Sequence, residues 1–543
     1  MRHLPSCALA APLAALLLGA VCACEVGAPA QDPTCTQGQG LVSVVIHLKA
    51  DDRPVALRAS RASLASALTA RGLARQANVR DLLQVRGAEH VVPLPVANAI
   101  AARVPASMIA ELVRRPEVAR VSLDLPQRVP EVTYSAPTAP AWNLSSTGAP
   151  SLWAMGLTGS GVVVANMDTG VDVKHPDLRG SFRGGANSWF DPYDHTPQPF
   201  DTIGHGTQTM GLMVGGNASG APIGMAPGAT WIAARIYDSS GQTTASTVHQ
   251  AFQWLLDPDG DPSTDDAPNI VNASWGSATI GACDPEFEAD LDAMRTAGIL
   301  VVFSAGNAGP AAGTGLSPSN NPGAFSIGAL DSSGSVASFS SRGPSSCTGD
   351  VFPDLVAPGV QVLTSDLTLA GVAQYASVTG TSFSAPHVAG AAALLLGAQP
   401  TLSPADLENL LLDNARDLGA PGPDQTSGHG ALDVAAAYAA LVAQPPAPLQ
   451  LEPRQLPLAH VAAPYHQTFH LVGATASKWE VASGQLPPGM SLDATGVLSG
   501  TPTAPGQFPF TLRVESAAQA PFIATATLAV LEDAAPSVSH CSP

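Results

Sequence analysis

One stretch, GTSFSAPHVAG from Gly380 to Gly390, constrains this chain more than any other. Ser382 follows a Gly-Thr pair and precedes a run of small residues (Ala385, Ala389, Gly390, Ala391, Ala392, Ala393), then Leu394, Leu395 and Leu396. Small residues followed by apolar ones, with one proline, predict a helix buried on all sides. Pro386 falls in its first turn, where a missing N–H costs nothing. Ser382 is therefore expected at the N-terminus of a core helix, where free backbone N–H groups and the macrodipole favour a developing negative charge.

A serine hydroxyl is a weak nucleophile without a base beside it, and the base needs a carboxylate to orient it. The apolar run VVVANMDTGVD predicts a buried strand with Asp168 at its carboxyl end. GHGTQTMG sets His205 between two glycines, ahead of a second helix pattern rich in small residues. ILVVFSAGNAG predicts another buried strand, ending in Ser304, Ala305, Gly306 and Asn307. An amide side chain there can donate to an oxyanion, a contact whose deletion costs about 3–4 kcal/mol.

These four motifs, in the order Asp, His, Asn, Ser, resemble the subtilisin-like serine proteases, the subtilases. SWG at 274–276, SSRGP at 340–344 and DLVAPG at 354–359 look like the bacillopeptidase F-like branch, and the resemblance spans roughly residues 150–440. It implies that Asp168 orients the histidine, that His205 is general base and then acid, and that Ser382 is the nucleophile. It also implies an oxyanion hole made of the Asn307 side chain and the Ser382 backbone N–H. Ser274, Trp275 and Gly276, with Ser304, Ala305 and Gly306, would line the first specificity pocket and pair with the substrate backbone; Trp275 also reads as an ordinary core aromatic. Gln208 departs from the family, many of whose members carry a second histidine there. His387 reads as structural, and His175 and His195 as loop residues.

The implied fold class is α/β: a subtilisin-like parallel sheet flanked by helices, preceded by a small α+β (ferredoxin-like) propeptide and followed by an Ig-like β-sandwich. Residues 1–24 read as a signal peptide. Val21-Cys22-Ala23-Cys24 also fits a bacterial lipoprotein signal with Cys24 lipidated, so release and membrane anchoring both stay open. Residues 41–128 predict strands and helices in the order of a subtilase propeptide, a chaperone and inhibitor of its own catalytic domain. That segment carries 13 basic against 7 acidic residues, net +6, whereas 129–543 carries 10 against 34, net −24. Opposite fields favour their docking.

The Pro-rich stretch 126–150 reads as the linker cut in maturation, and 150–442 as the catalytic domain, whose strand–helix alternation predicts a parallel sheet with its site at the carboxyl ends of the strands. AQPPAP at 443–448 reads as a second linker, and 449–533 as a sandwich of alternating strands, serving as spacer or binding module.

With 12% charged residues and a net charge of −19, the chain lacks the basic patches of a nucleic-acid binder. Protein or peptide substrates are expected, and a monomer. Exported chains can form disulfides, and Cys283–Cys347 is the expected pair. No cofactor is required for the chemistry. Structural calcium is common in the family, and DPDGDPSTDD (Asp257–Asp266) has oxygen donors at a suitable spacing. It lacks the full EF-hand pattern, however, and reads as a solvated acidic turn. A second reading of the whole chain is a surface binding protein that only processes itself, with the C-terminal sandwich carrying the lasting function.

Overall fold

The computed structural model describes residues 40–49, 61–135, 142–261, 263–443, 449–453, 456–472, 474, 476–516 and 519–532. The signal segment with Cys24, the residues Cys35 and Cys541, and parts of both linkers (136–141 and 444–448) lie outside the described residues. No helix among the described residues is long and apolar enough to cross a membrane.

The N-terminal segment alternates strand, helix, strand, strand, helix, strand. Its antiparallel sheet runs Glu89–Leu94, Ala99–Pro105, Leu41–Leu48, Val118–Leu123, and it carries the helices Arg61–Val85 and Ile109–Val113. This is the ferredoxin-like order. Apart from His47, the buried positions of the first strand are apolar, because both of its faces are covered. Val44, Ile46 and Leu48 pack with Val79 and Leu83 of the long helix. Val45, pointing the other way, joins a cluster containing Phe252 and Leu255 of the catalytic region.

The catalytic region is built on seven strands in the order Leu355–Pro358, Phe325–Leu330, Leu300–Ser304, Ile270–Ala273, Val163–Asp168, Thr230–Arg235, Trp189–Phe190, each pair parallel. Five of these match the apolar runs of the sequence. The two outer strands do not stand out in it, since Trp189–Phe190 is only a dipeptide and Leu355–Pro358 ends in proline.

Two helices, His205–Val214 and Ala385–Ala398, are packed against each other with nearly every side chain buried. Their closeness explains the small residues: a Cβ on Gly390 would lie 3.1 Å from the Met213 carbonyl oxygen of the facing helix. Burial of Leu394, Leu395 and Leu396 contributes about 1.5–3 kcal/mol each.

The segment joining the N-terminal and catalytic regions also makes strand pairs. Gln127–Arg128 runs antiparallel to Gln242–Thr243, and Thr133–Ser135 runs antiparallel to Ser377–Thr379, just upstream of Ser382.

The C-terminal unit has a four-stranded sheet in the order Ala459–His460, Gln519–Leu531, Gly506–Ser516, Ala476–Gly484 and a three-stranded one made of Tyr465–Thr468, Val497–Gly500 and Met490–Leu492. A two-stranded pair, Gln450–Glu452 with His470–Val472, completes it. Phe510, Leu512 and Val514 alternate into one core with Trp479, Phe469, Leu498 and Leu528, as a sandwich requires.

Candidate active site

Asp168 ends its strand at the carboxyl edge of the sheet, buried, with Oδ1 accepting the Thr169 N–H at 2.7 Å. His205 opens its helix beside it, and Nδ1 lies 2.8 Å and 2.9 Å from the two Asp168 carboxylate oxygens. Gly206 permits this approach, because a Cβ there would collide with the Gly170 carbonyl oxygen. Asp201 sits under the start of the helix, accepting from the amides of Ile203, Gly204 and Thr207. Burial disfavours an imidazolium at His205. The Asp168 charge and hydrogen bond, with help from Asp201, outweigh it and raise its pKa above the ordinary histidine value.

With Nδ1–H donated to Asp168, Nε2 is the basic nitrogen, and it has no hydrogen-bond partner among the described residues. Its ring lies 5.6 Å, centroid to centroid, from Phe383, the neighbour of Ser382. Ser382 itself occupies a 3₁₀ turn, Thr381–Phe383, that leads into the helix starting at Ala385, so it stands just ahead of that helix rather than within it. Its hydroxyl donates to the Ser274 carbonyl at 3.4 Å, a long and therefore easily exchanged contact.

Asn307 is exposed at the rim. Its Oδ1 accepts from the Thr381 N–H and from the Thr381 hydroxyl, both at 2.9 Å, which leaves the Nδ2 donors for another acceptor. The Phe383 and Ser384 amides bond within the turn. Among the described residues the Ser382 N–H has no acceptor.

Beneath these groups runs a buried polar chain that the sequence did not announce. Asn166 Nδ2 donates to the Gly206 carbonyl at 3.0 Å and Asn272 Nδ2 to Asn166 Oδ1 at 3.0 Å and to Ser274 Oγ at 2.9 Å. Ser274 Oγ donates to the Ser382 carbonyl at 2.7 Å. The side chain of Ser274 thus holds the turn that carries Ser382. The ring of Trp275, only 4% exposed, packs among Phe252, Phe287 and Phe303, which is the core-aromatic alternative.

Gly276 and Gly306 face a common space. A Cβ on Gly276 would lie 3.1 Å from Leu316 Cβ, and one on Gly306 would lie 2.8 Å from Leu316 Cγ. Leu316, unremarked in the sequence, therefore stands between the two expected pocket walls. Ser304 and Ala305 are buried at the end of their strand.

His387 is fully partnered. Nδ1 donates to the Phe383 carbonyl at 2.7 Å, Asn143 Nδ2 meets Nε2 at 2.8 Å, and burial pushes its pKa down to about 4. His175 is buried as a helix cap, whereas His195 is exposed in a loop. Gln208 Nε2 donates to Tyr134 Oη and to Asp366. Cys283 and Cys347 are joined in a disulfide. In the acidic loop, Asp257, Asp259 and Asp266 bring carboxylate oxygens within 4.8 Å of one another. One buried oxygen on each of Asp257 and Asp266 lacks a partner, a donor set that suits a hard cation.

A model of the subtilase family matches residues 159–430, half of the chain, and the He_PIG Ig domain matches residues 445–531. Bacillopeptidase F of Bacillus subtilis (strain 168) is 33% identical over 381 residues, 64% of this chain, which spans about a quarter (26%) of that relative's length. Subtilisin E of the same organism is 32% identical over 345 residues, covering 63% of this chain and 82% of the relative. An alkaline protease of Alkalihalobacillus alcalophilus is 37% identical over 289 residues, covering 53% and 68%. Motif order, sheet topology and these matches agree, and the chain belongs to the subtilase family of serine endopeptidases.

Proposed function

We propose that this chain is a secreted serine endopeptidase, made as a zymogen, that hydrolyses peptide bonds through an acyl-enzyme on Ser382. The observation that carries this reading is His205, tied to Asp168 through Nδ1 and open at Nε2 beside the Ser382 turn. His205 Nε2 takes the proton of Ser382 Oγ as the oxygen attacks the substrate carbonyl carbon. The resulting oxyanion is met by Asn307 Nδ2–H and the Ser382 N–H. The intermediate collapses, His205 returns the proton to the leaving amine, and water repeats the sequence to free the acid. Asp168 keeps the imidazole in the right tautomer and stabilises its charged form. The chemistry draws on no cofactor. A calcium ion at Asp257, Asp259 and Asp266 would serve stability alone.

Residues 41–128 fit the part of propeptide and inhibitor. The joint after them supports cleavage in cis: Val129 N–H donates to the Gly241 carbonyl at 2.9 Å, and Thr133 pairs with Thr379. Residues 130–132 bridge these two paired stretches, like a substrate held on either side of a scissile bond. The cut therefore falls between 130 and 133, and the C-terminal sandwich acts as a spacer.

Purified mature protein should degrade casein, and Ser382→Ala should abolish turnover and leave the precursor uncut. N-terminal sequencing of the mature species should begin at 131, 132 or 133. A mature wild type without turnover would overturn the endopeptidase reading in favour of self-processing alone.

A further inference from the structure

Away from the rim, three titratable side chains from distant parts of the chain converge in the interior. His47 lies on the first strand of the N-terminal segment, His249 on the helix Ala245–Leu256, and Glu286 just ahead of the helix Glu288–Thr296. All three are buried. Glu286 Oε1 is 2.9 Å from His47 Nε2 and 3.3 Å from His249 Nε2. Ser122 Oγ is 3.2 Å from His47 Nε2 and 3.3 Å from Glu286 Oε1. An ion with tetrahedral bonds of about 2.0–2.1 Å separates its ligand atoms by about 3.3 Å. The His249–Glu286, Ser122–His47 and Ser122–Glu286 edges match that spacing and the His47–Glu286 edge is slightly short, while the ligand atoms of the two histidines lie within 4.8 Å of each other.

The outer contacts are those of a ligand set. Asp290, buried, takes the Nδ1 of His249 at 2.7 Å and so turns Nε2 toward the cluster. Arg120 Nη1 holds the other oxygen of Glu286 at 2.7 Å, leaving Oε1 facing the two imidazoles. The Phe287 ring, 4.9 Å from that of His249, supplies an apolar wall. Two imidazoles and one carboxylate suit zinc, whereas calcium takes six to eight oxygens.

We propose that His47, His249 and Glu286 form a zinc site, with Ser122 or a water as fourth ligand, that fastens the N-terminal segment to the catalytic region. His47 and Glu286 are 239 residues apart and lie on opposite sides of the joint at 130–133. On the zymogen reading above, the ion holds the inhibitor in place after the joint is cut. Departure of the inhibitor then leaves only two protein ligands behind.

The test uses the untagged full-length precursor, kept intact by Ser382→Ala, titrated first with Co²⁺ and then with Zn²⁺. One equivalent of Co²⁺ should give the visible absorption of a tetrahedral site and be displaced by Zn²⁺, and zinc should raise the melting temperature. His47→Ala should weaken binding by about 100-fold or more and remove the thermal shift. His47→Gln, which retains a hydrogen-bond donor toward Glu286, should behave likewise, separating metal ligation from simple pairing. Absence of tetrahedral bands, or equal binding by the precursor and both variants, would overturn the site; in the second case the metal sits elsewhere, such as the Asp257 loop. Because binding is read without turnover, its failure leaves the protease reading standing, and an inactive wild type leaves the metal site standing.

Discussion

His205 and His387 are two buried imidazoles on neighbouring helices, and they have opposite characters. His387 spends both nitrogens, on the Phe383 carbonyl and on Asn143, and burial drives its pKa to about 4. His205 spends one nitrogen on a carboxylate, keeps the other open, and has its pKa raised. Burial is common to both; what differs is the charge of the partner and the number of contacts left unmade. A side chain fully used by its surroundings holds structure, and one left half-used is available for chemistry.

The sharpest way to break this contrast is to delete each ring. His205→Ala should lower kcat by about 10⁶-fold, with folding intact by circular dichroism. His387→Leu should change kcat less than tenfold while lowering the melting temperature. Comparable kcat losses in the two variants would erase the distinction. Next in size, Asn307→Ala should lower kcat by about 10²–10³-fold with KM little changed, because its Nδ2 meets charge that exists only during reaction.

The third test concerns protons. The folded pKa of His387 lies below its unfolded value, so its contribution to stability is complete above about pH 6.5 and is lost as pH falls toward 4. Denaturant titrations should show a decline on the order of 3 kcal/mol over that window. His387→Leu should flatten that limb. His205 works in the other direction on activity. Because it must be neutral to act and its pKa is raised, kcat/KM should fall on acidification starting above the ordinary histidine range. Asp168→Asn should shift that limb to lower pH.

The smallest effect is expected from the polar chain beneath. Asn272→Ala should cost about 1–3 kcal/mol of stability by orphaning Asn166 Oδ1 and removing the donor to Ser274 Oγ, with a modest drop in kcat as the Ser382 turn loosens.

What could be read from the sequence was whatever repeats along it. Apolar runs marked the inner strands, glycines flanked His205, and small residues preceded Leu394. The five strands from Phe325–Leu330 to Thr230–Arg235 and the sandwich core at Phe510, Leu512 and Val514 follow from such local pattern. What could not be read depends on residues meeting across long separations. Asn166 and Asn272 are 106 positions apart, and Leu316 enters the space between Gly276 and Gly306 only through the folded loop. Nor does any spacing reveal that Trp275 turns its ring inward while its neighbour Ser274 steadies the Ser382 turn.

The strand Leu41–Leu48, covered on both sides, bears on the life of the proposed zymogen. On the zymogen reading proposed above, release of the N-terminal piece strips Val45, Leu94 and Ala99 of their cover, at about 1.5–3 kcal/mol for each large side chain. On that reading a fragment so undressed would unravel readily and become food for the enzyme it had restrained, making activation a one-way door.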